Sequence, residues 1–238
     1  TEDLTFAIDY WDVEIEGTIA GLGAQLTLDQ CAKTGSADYC NLVTRSPNGS
    51  LWQGTAGYIN TAVTNLGEKH WEGIDMEGDY SMNLGEGTLN ISALATYMLS
   101  KETTPIPSDN SLTYDCVGFI NDNCFATPDW RGTVQAVYDS GDSWTVGGKV
   151  RMFGEVNYTG STDEIADANL SGIQSYFDLY GTYTFMEDDN ASVRVGINNI
   201  LDEEPPLVGG TLSTNANSIA GFYDTLGRFM YGKLTYKM

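Results

Sequence analysis

The final stretch of the chain constrains its fold most. Residues 226–238 alternate apolar and polar side chains up to the C-terminus, which is typical of an amphipathic strand. The backbone groups of such a strand need hydrogen-bonding partners. In an outer-membrane barrel the first strand supplies them and closure removes the edge, so this ending favours a barrel. One face carries Met230, Gly232, Leu234, Tyr236 and Met238, and the other carries Phe229, Tyr231, Lys233, Thr235 and Lys237.

Composition agrees with strands and argues against several partners. The chain has 14 tyrosines and 27 glycines, which suits strands and turns. A net charge of −22, from 33 acidic and 11 basic side chains, argues against binding nucleic acid or docking on anionic lipid. The sequence has no apolar run of about 18 residues, so it predicts no membrane-spanning helix. That does not exclude a barrel, because barrel strands turn only alternate residues toward lipid.

Eight alternating segments can be read along the chain. Short turns (83–87, 140–142, 187–190) alternate with long loops (19–64, 101–128, 157–171, 202–225), as in bacterial outer-membrane barrels, whereas a soluble sandwich would mix loop lengths at both ends. We therefore predict an all-β fold: an antiparallel transmembrane β-barrel segment with short periplasmic turns and long extracellular loops. The predicted strands are Leu4–Thr18 with a bulge near Trp11-Asp12, Asn65–Met82, Gly87–Ser100, Asp129–Asp139, Ser143–Val156, Gly172–Met186, Ser192–Asp202 and Leu226–Met238.

The side chains within these segments separate by chemistry. Charged residues fall on the polar phase, where a watery interior would let them pair across strands, whereas in lipid each would cost a few kcal/mol. Aromatic residues collect where strands meet loops or turns, as in interfacial girdles; examples are Tyr10, Tyr80, Trp130, Trp144 and Phe185.

Four cysteines form two close pairs, Cys31 with Cys40 and Cys116 with Cys124. Local pairing would close two small loops in an oxidising compartment. A four-cysteine zinc site is the alternative, although its Cys-x8-Cys and Cys-x7-Cys spacings are wider than usual. We predict two disulfides, no metal site and no cofactor. Helical spacing over Ala24–Cys31 predicts a short helical turn inside the first loop.

The sequence contains no specific catalytic motif. Its single histidine, His70, lies at the loop end of the second predicted strand. A barrel hydrolase would need a catalytic histidine beside a nucleophile, and His70 with Ser81 or Thr64 is the formal possibility. We predict that the protein is not an enzyme.

Several segments resemble the TonB-dependent outer-membrane receptors, and the resemblance runs through almost the whole chain. Residues 31–51 resemble a cysteine-bracketed loop of that family, and residues 65–82 and 128–155 resemble its recurring strands. The family's C-terminal box is matched by Asn198, Asn199, Leu201, Asp202, Gly227 and Arg228. Two features depart from the family pattern. The chain ends at Met238 rather than an aromatic residue, and it lacks the plug, the TonB box and most of the roughly 22 strands of a full receptor.

The resemblance implies energised uptake across a bacterial outer membrane. Residues 1–238 would be the C-terminal portion of the barrel, in contact with outer-membrane lipid and coupled to TonB through a missing N-terminal region. The ligand would be a scarce nutrient, small or oligomeric, such as a metal chelate or carbohydrate. The alternative is a stand-alone eight-stranded barrel, or a structural or adhesive assembly, in which the first strand pairs with the last and nothing is transported. Candidate ligand-binding residues are the loop aromatics Trp52, Tyr58, Trp71, Phe119, Phe125, Tyr158, Phe222 and Tyr223.

Overall fold

The computed structural model describes residues 3–121, 123–158, 172–185, 191–207 and 218–237. Long strands dominate this part of the chain, and two helices and several two-residue strands lie in the loops. The long strands are β1 (Asp3–Ala20), β4 (Thr64–Leu84), β5 (Gly87–Thr104), β8 (Trp130–Asp139), β9 (Trp144–Phe153), β11 (Gln174–Phe185), β12 (Ala191–Asn198) and β13 (Phe229–Tyr236). The loop elements are α1 (Ala24–Thr34), α2 (Ala37–Cys40), β2 (Val43–Thr44), β3 (Tyr58–Ile59), β6 (Tyr114–Asp115), β7 (Phe119–Ile120) and β10 (Asn157–Tyr158).

The eight long strands form one sheet in chain order, β1-β4-β5-β8-β9-β11-β12-β13, and β6 pairs with β5 as a ninth strand. In this sheet, β5, β8, β9, β11, β12 and β13 pair antiparallel in succession, whereas the two-residue strands β7 and β10 pair parallel in the loops. The predicted fold class and all eight predicted strands are confirmed. The predicted bulge near Trp11-Asp12 stays a prediction. Among the described residues, β1 and β13 occupy opposite ends of this order and do not pair with each other.

The short turns follow from their glycines. Between β4 and β5 only Gly85 and Glu86 intervene, and Gly85 has φ 65°, a left-handed conformation that glycine adopts without strain. Between β8 and β9, Gly141 has φ 74°, and the rings of Tyr138 and Trp144 pack 5.3 Å apart beside the turn. The predicted turn at 187–190, the end of the sixth predicted strand and most of the loop at 157–171 lie outside the described residues.

The sheet has one apolar and one polar face, because successive side chains on a strand point to opposite sides. One row on the apolar face joins Ile91, Ala136, Gly148, Leu179, Ile197 and Met230. One row on the polar face joins Thr88, Asp139, Thr145, Thr182, Arg194 and Lys233. Large apolar side chains on the first face are exposed, Leu179 by 46% and Met230 by 67%, as lipid contact requires.

The chain divides into two compact units. The first comprises Thr1–Asp12, Trp71–Lys101 and Asp115–Met238, and the second comprises Val13–His70 and Glu102–Tyr114. No helix in the described part of the chain combines the length and the hydrophobicity that a membrane span demands.

The second unit holds a folded loop. Helix α1 covers the predicted helical turn and extends beyond it to Thr34, where Gly35 ends it in the left-handed conformation at φ 64°. Cys31 is joined to Cys40 of α2, and β2 pairs antiparallel with β3. The ammonium of Lys33 pairs with Asp109 at 3.3 Å. The side-chain hydrogen bond from Ser111 and the partnership with Lys33 lower the pKa of Asp109.

Candidate functional site

One end of the polar face in the first unit carries a cluster of aromatic and charged side chains. The indole of Trp11 lies directly over Gly73, where an added Cβ would collide with the ring. Two residues along β4, the carboxylate of Asp75 accepts a hydrogen bond from the hydroxyl of Thr96 at 2.7 Å. Thr96 is paired in register with Arg131 of β8. Strands β4, β5 and β8 therefore bring these groups together.

Lys101 contacts this cluster from near the end of β5. The ammonium of Lys101, near the end of β5, donates to the hydroxyl of Thr127 at 2.9 Å. The same nitrogen lies 5.5 Å from the ring centroid of Trp71, within cation–π range. The charge of Lys101 is therefore held between an aromatic ring and a loop hydroxyl.

The loop that supplies Thr127 is closed by the disulfide between Cys116 and Cys124. Its turn is held by the side chain of Asn121, whose oxygen accepts from the backbone nitrogens of Asn123 and Cys124, each at 2.9 Å. Cys124, Ala126 and Thr127 are buried, but Phe125 between them is 54% exposed. The loop thus presents the ring of Phe125 on a backbone held by the disulfide and the hydrogen bonds of Asn121.

A second segment, residues 218–224 before β13, packs against this loop. Ile219 and Tyr223 are buried with Ile120, Ala126 and Val156 in a small hydrophobic core, and Phe222 and Tyr158 pack on its edge. The ring of Phe222 meets that of Phe153 edge-on, 5.1 Å between centroids. Burial, with a smaller contribution from Tyr176, raises the pKa of Tyr223 to about 12. Tyr223 therefore stays neutral well above neutral pH.

Arg151 of β9 anchors this segment to the sheet. Its guanidinium contacts both carboxylate oxygens of Asp178 at 3.2 Å and the carboxylate of Asp224 at 3.0 Å. It also lies 5.1 Å from the ring centroid of Tyr176. Asp178 additionally accepts from the backbone nitrogen of Asn199 at 2.9 Å. Arg151 and Asp178 together therefore tie two strands to two loop segments.

Side chains of β4, β5 and β8, the disulfide-closed loop and residues 221–222 line a pocket of about 500 Å³. We call it the polar-face pocket. That volume is in the range of small-molecule sites. Its charged lining side chains are Asp75, Lys101 and Arg131, and its aromatic ones are Trp11, Trp71, Phe125 and Phe222.

Comparison with known proteins identifies the family. The family model described as "TonB dependent receptor-like, beta-barrel" matches residues 2–200. The chain belongs to this family. A solved structure with the same fold is a mutant of the ferric enterobactin receptor from Pseudomonas aeruginosa, with a TM-score of 0.57 and 19% sequence identity. The match covers 98% of this chain and 29% of the receptor, so the chain spans under a third of that protein. No curated protein matched the sequence.

The family consists of outer-membrane receptors of bacteria rather than enzymes. The residues that resemble the family's C-terminal box are held together by hydrogen bonds and an ion pair in this chain. Asn199 is fully buried with φ 50°, and its amide bonds both the nitrogen and the carbonyl of Glu203 at 2.9 Å. Asp202 accepts from the backbone nitrogen of Arg228 at 2.8 Å and pairs with its guanidinium at 3.3 Å. The box therefore joins the end of β12 to the start of β13.

The structure separates the eight aromatic residues predicted from the sequence. Trp71, Phe125 and Phe222 line the polar-face pocket. Tyr223 is buried, and Tyr158 packs beside it. Phe119 lies in β7 and is 38% exposed, while Trp52 and Tyr58 in the second unit are 78% and 45% exposed. That these residues bind a ligand stays a prediction.

Most of the other lining residues were not among the sequence candidates, and they include Trp11, Lys101 and Arg131. The alternating pattern of the fourth predicted strand places Arg131 on its polar face. The proximity of Arg131 to Lys101 was not predictable, because it depends on how three strands and a loop pack.

The predicted disulfides are present as Cys31–Cys40 and Cys116–Cys124. This pairing removes the zinc alternative for these four cysteines, because a disulfide sulfur is no longer a thiolate ligand.

Proposed function

We propose that the chain forms the C-terminal portion of a TonB-dependent receptor that takes up a scarce nutrient across the bacterial outer membrane. The observation that carries the proposal is the family match over residues 2–200. The structural match covers 98% of this chain but only 29% of a full receptor, which supports the assignment of residues 1–238 to part of a larger barrel. The separate positions of β1 and β13 in the described sheet support it over a closed eight-stranded barrel.

Within this proposal, loop and polar-face side chains would contact the nutrient, and TonB would act through regions outside this sequence. Phe125 has the strongest support, because it is exposed, lines the pocket and sits on a braced loop. Trp71 and Phe222 have the next strongest support, because both line the pocket. Trp52, Tyr58 and Phe119 are supported by exposure alone. Tyr158 and Tyr223 have least support, since both pack in or against the core.

The ligand of the ferric enterobactin receptor does not transfer to this chain, because 19% identity supports the fold alone. The nutrient class in this proposal is therefore a metal chelate, a carbohydrate or a similar scarce compound.

The proposal is tested by comparing cells that lack this protein with cells that lack TonB. Both are grown on limiting iron chelates, and on carbohydrates or aromatic carboxylates as sole carbon sources. We expect the two deletions to share a growth defect on at least one nutrient, and we expect a plasmid copy to restore growth only when TonB is present. Restoration without TonB would refute energised uptake and would favour the stand-alone barrel.

A further inference from the structure

The polar face of the first unit is acidic along β4 and mainly basic on the strands beyond β5. Asp75, Glu77 and Asp79 follow one another on the polar phase of β4. Strand β5 is uncharged on this phase from Thr88 to Thr96. Beyond it, the polar phase carries five basic side chains, Arg131, Lys149, Arg151, Arg194 and Lys233, and two acidic ones, Asp139 and Asp178. Five of the chain's 11 basic residues thus occupy one part of a strongly acidic protein.

The polar-face pocket lies where these regions meet. Its charged lining groups are one carboxylate, Asp75, and two cations, Lys101 and Arg131, so their sum is a single positive charge. Asp75 already accepts from Thr96, and Lys101 is held by Thr127 and Trp71. Arg131 is exposed and makes no ion pair within the described residues. A guanidinium in this position can bind a carboxylate with two parallel hydrogen bonds.

The apolar part of the pocket is aromatic and preorganised. Phe125 projects from a loop whose neighbouring residues are buried, and the tip of its ring lies against Gly221. Phe222 is held on the other side by Phe153. Rings fixed in this way favour stacking with a flat ligand, because little conformational entropy is lost on binding.

We propose that the polar-face pocket binds a flat aromatic ligand carrying one carboxylate. The ring packs on Phe125 and Phe222, and the carboxylate binds Arg131 near Lys101. A ligand of higher negative charge would exceed the single net positive charge and would approach Asp75. A neutral sugar would leave Arg131 without an anionic partner. The inference deepens the proposed function, because it names a substrate class for that receptor, and it rests on that function for its place in uptake.

The test is calorimetric titration of the protein purified from bacterial outer membranes in detergent. The probes are 2-naphthoate, the uncharged 2-naphthamide of the same shape, and the non-aromatic cyclohexanecarboxylate. The variants are Arg131→Gln and the matched control Arg194→Gln. Arg194 is a guanidinium on the same polar face, but it donates to Thr182 and lies over Tyr180 at 4.5 Å, away from the pocket.

We expect 2-naphthoate to bind and each comparison to weaken binding: the amide, the cyclohexane and Arg131→Gln each by about tenfold or more. Arg194→Gln should leave the affinity unchanged. The probe comparison uses unaltered protein, so it holds even if a variant misfolds.

Equal affinity for naphthoate and naphthamide would overturn the inference, as would equal losses in the two arginine variants or no naphthoate binding. Tighter binding of maltotriose or of a trianionic ferric tricatecholate would replace it with a different ligand class. A shared TonB growth defect without naphthoate binding would refute the inference alone. Naphthoate binding without TonB dependence would refute only the proposed function.

Discussion

At the scale of single residues, Asn199 is the clearest link between sequence motif and structure. A non-glycine residue in the left-handed region is unfavourable unless its surroundings hold it there. Here the side-chain amide bonds both backbone groups of Glu203, and the backbone nitrogen donates to Asp178. An asparagine at this position is therefore explained by local hydrogen bonding.

Asn199→Ala should destabilise the protein by about 1–3 kcal/mol, because it removes two hydrogen bonds and leaves a Cβ residue at φ 50°. Urea unfolding in lipid vesicles, followed by tryptophan fluorescence, measures the change. Asn198→Ala is the control, since Asn198 lies in the regular ladder opposite Phe229. Similar losses in both variants would show that the turn at Asn199 has no special role.

Tyr223 gives a pH dependence. Because burial raises its pKa from 10.0 to about 12, its contribution to stability is complete below pH 10 and is lost as the pH rises toward 12. Ultraviolet titration of tyrosinate should show a late step that disappears in Tyr223→Phe and persists in Tyr58→Phe. A late step that survives Tyr223→Phe would assign it to another tyrosine.

At the scale of elements, strands and loops differ in what the sequence reveals. The strands were predictable because apolar and polar side chains alternate along each of them, and glycines such as Gly85 and Gly141 mark the turns. Helix α1 was found for the same local reason. The pocket was not predictable, because Arg151 meets Asp224 and Lys101 meets Thr127 across separations of 73 and 26 residues. No local pattern encodes such pairs.

The loop closed by Cys116 and Cys124 should depend on its disulfide. Replacing both cysteines by serine removes a constraint of about 2–3 kcal/mol on a loop of this size. Amide hydrogen exchange of residues 116–127 should accelerate, while that of β9 and β11 stays slow. The matched control replaces Cys31 and Cys40 and should leave exchange in residues 116–127 unchanged. Unchanged exchange in both variants would mean that packing alone holds Phe125.

At the scale of the whole molecule, the sheet has one apolar and one polar face. The apolar row that includes Leu179 is exposed without a protein partner in the described residues, whereas the polar face carries paired charges and hydroxyls. This difference is what a membrane on one side and water on the other would require.

Leu179→Lys should therefore cost about 2–4 kcal/mol in lipid, the expected cost of a lysine near the middle of a bilayer. Ser92→Lys is the control, because Ser92 pairs with Gln135 on the polar face and its strand is exposed there. Urea unfolding in vesicles measures both. An equal, small effect of the two lysines would argue that the apolar face does not meet lipid.

The two disulfides link cysteines only nine and eight positions apart, so neither one connects two long strands of the sheet. Each can consequently form as soon as its own short segment reaches an oxidising compartment. Oxidation need not wait for strand pairing, and it sets no order in which the strands enter the bilayer. The chain can thus arrive at the membrane with its surface loops already tied and its strands still free to assemble.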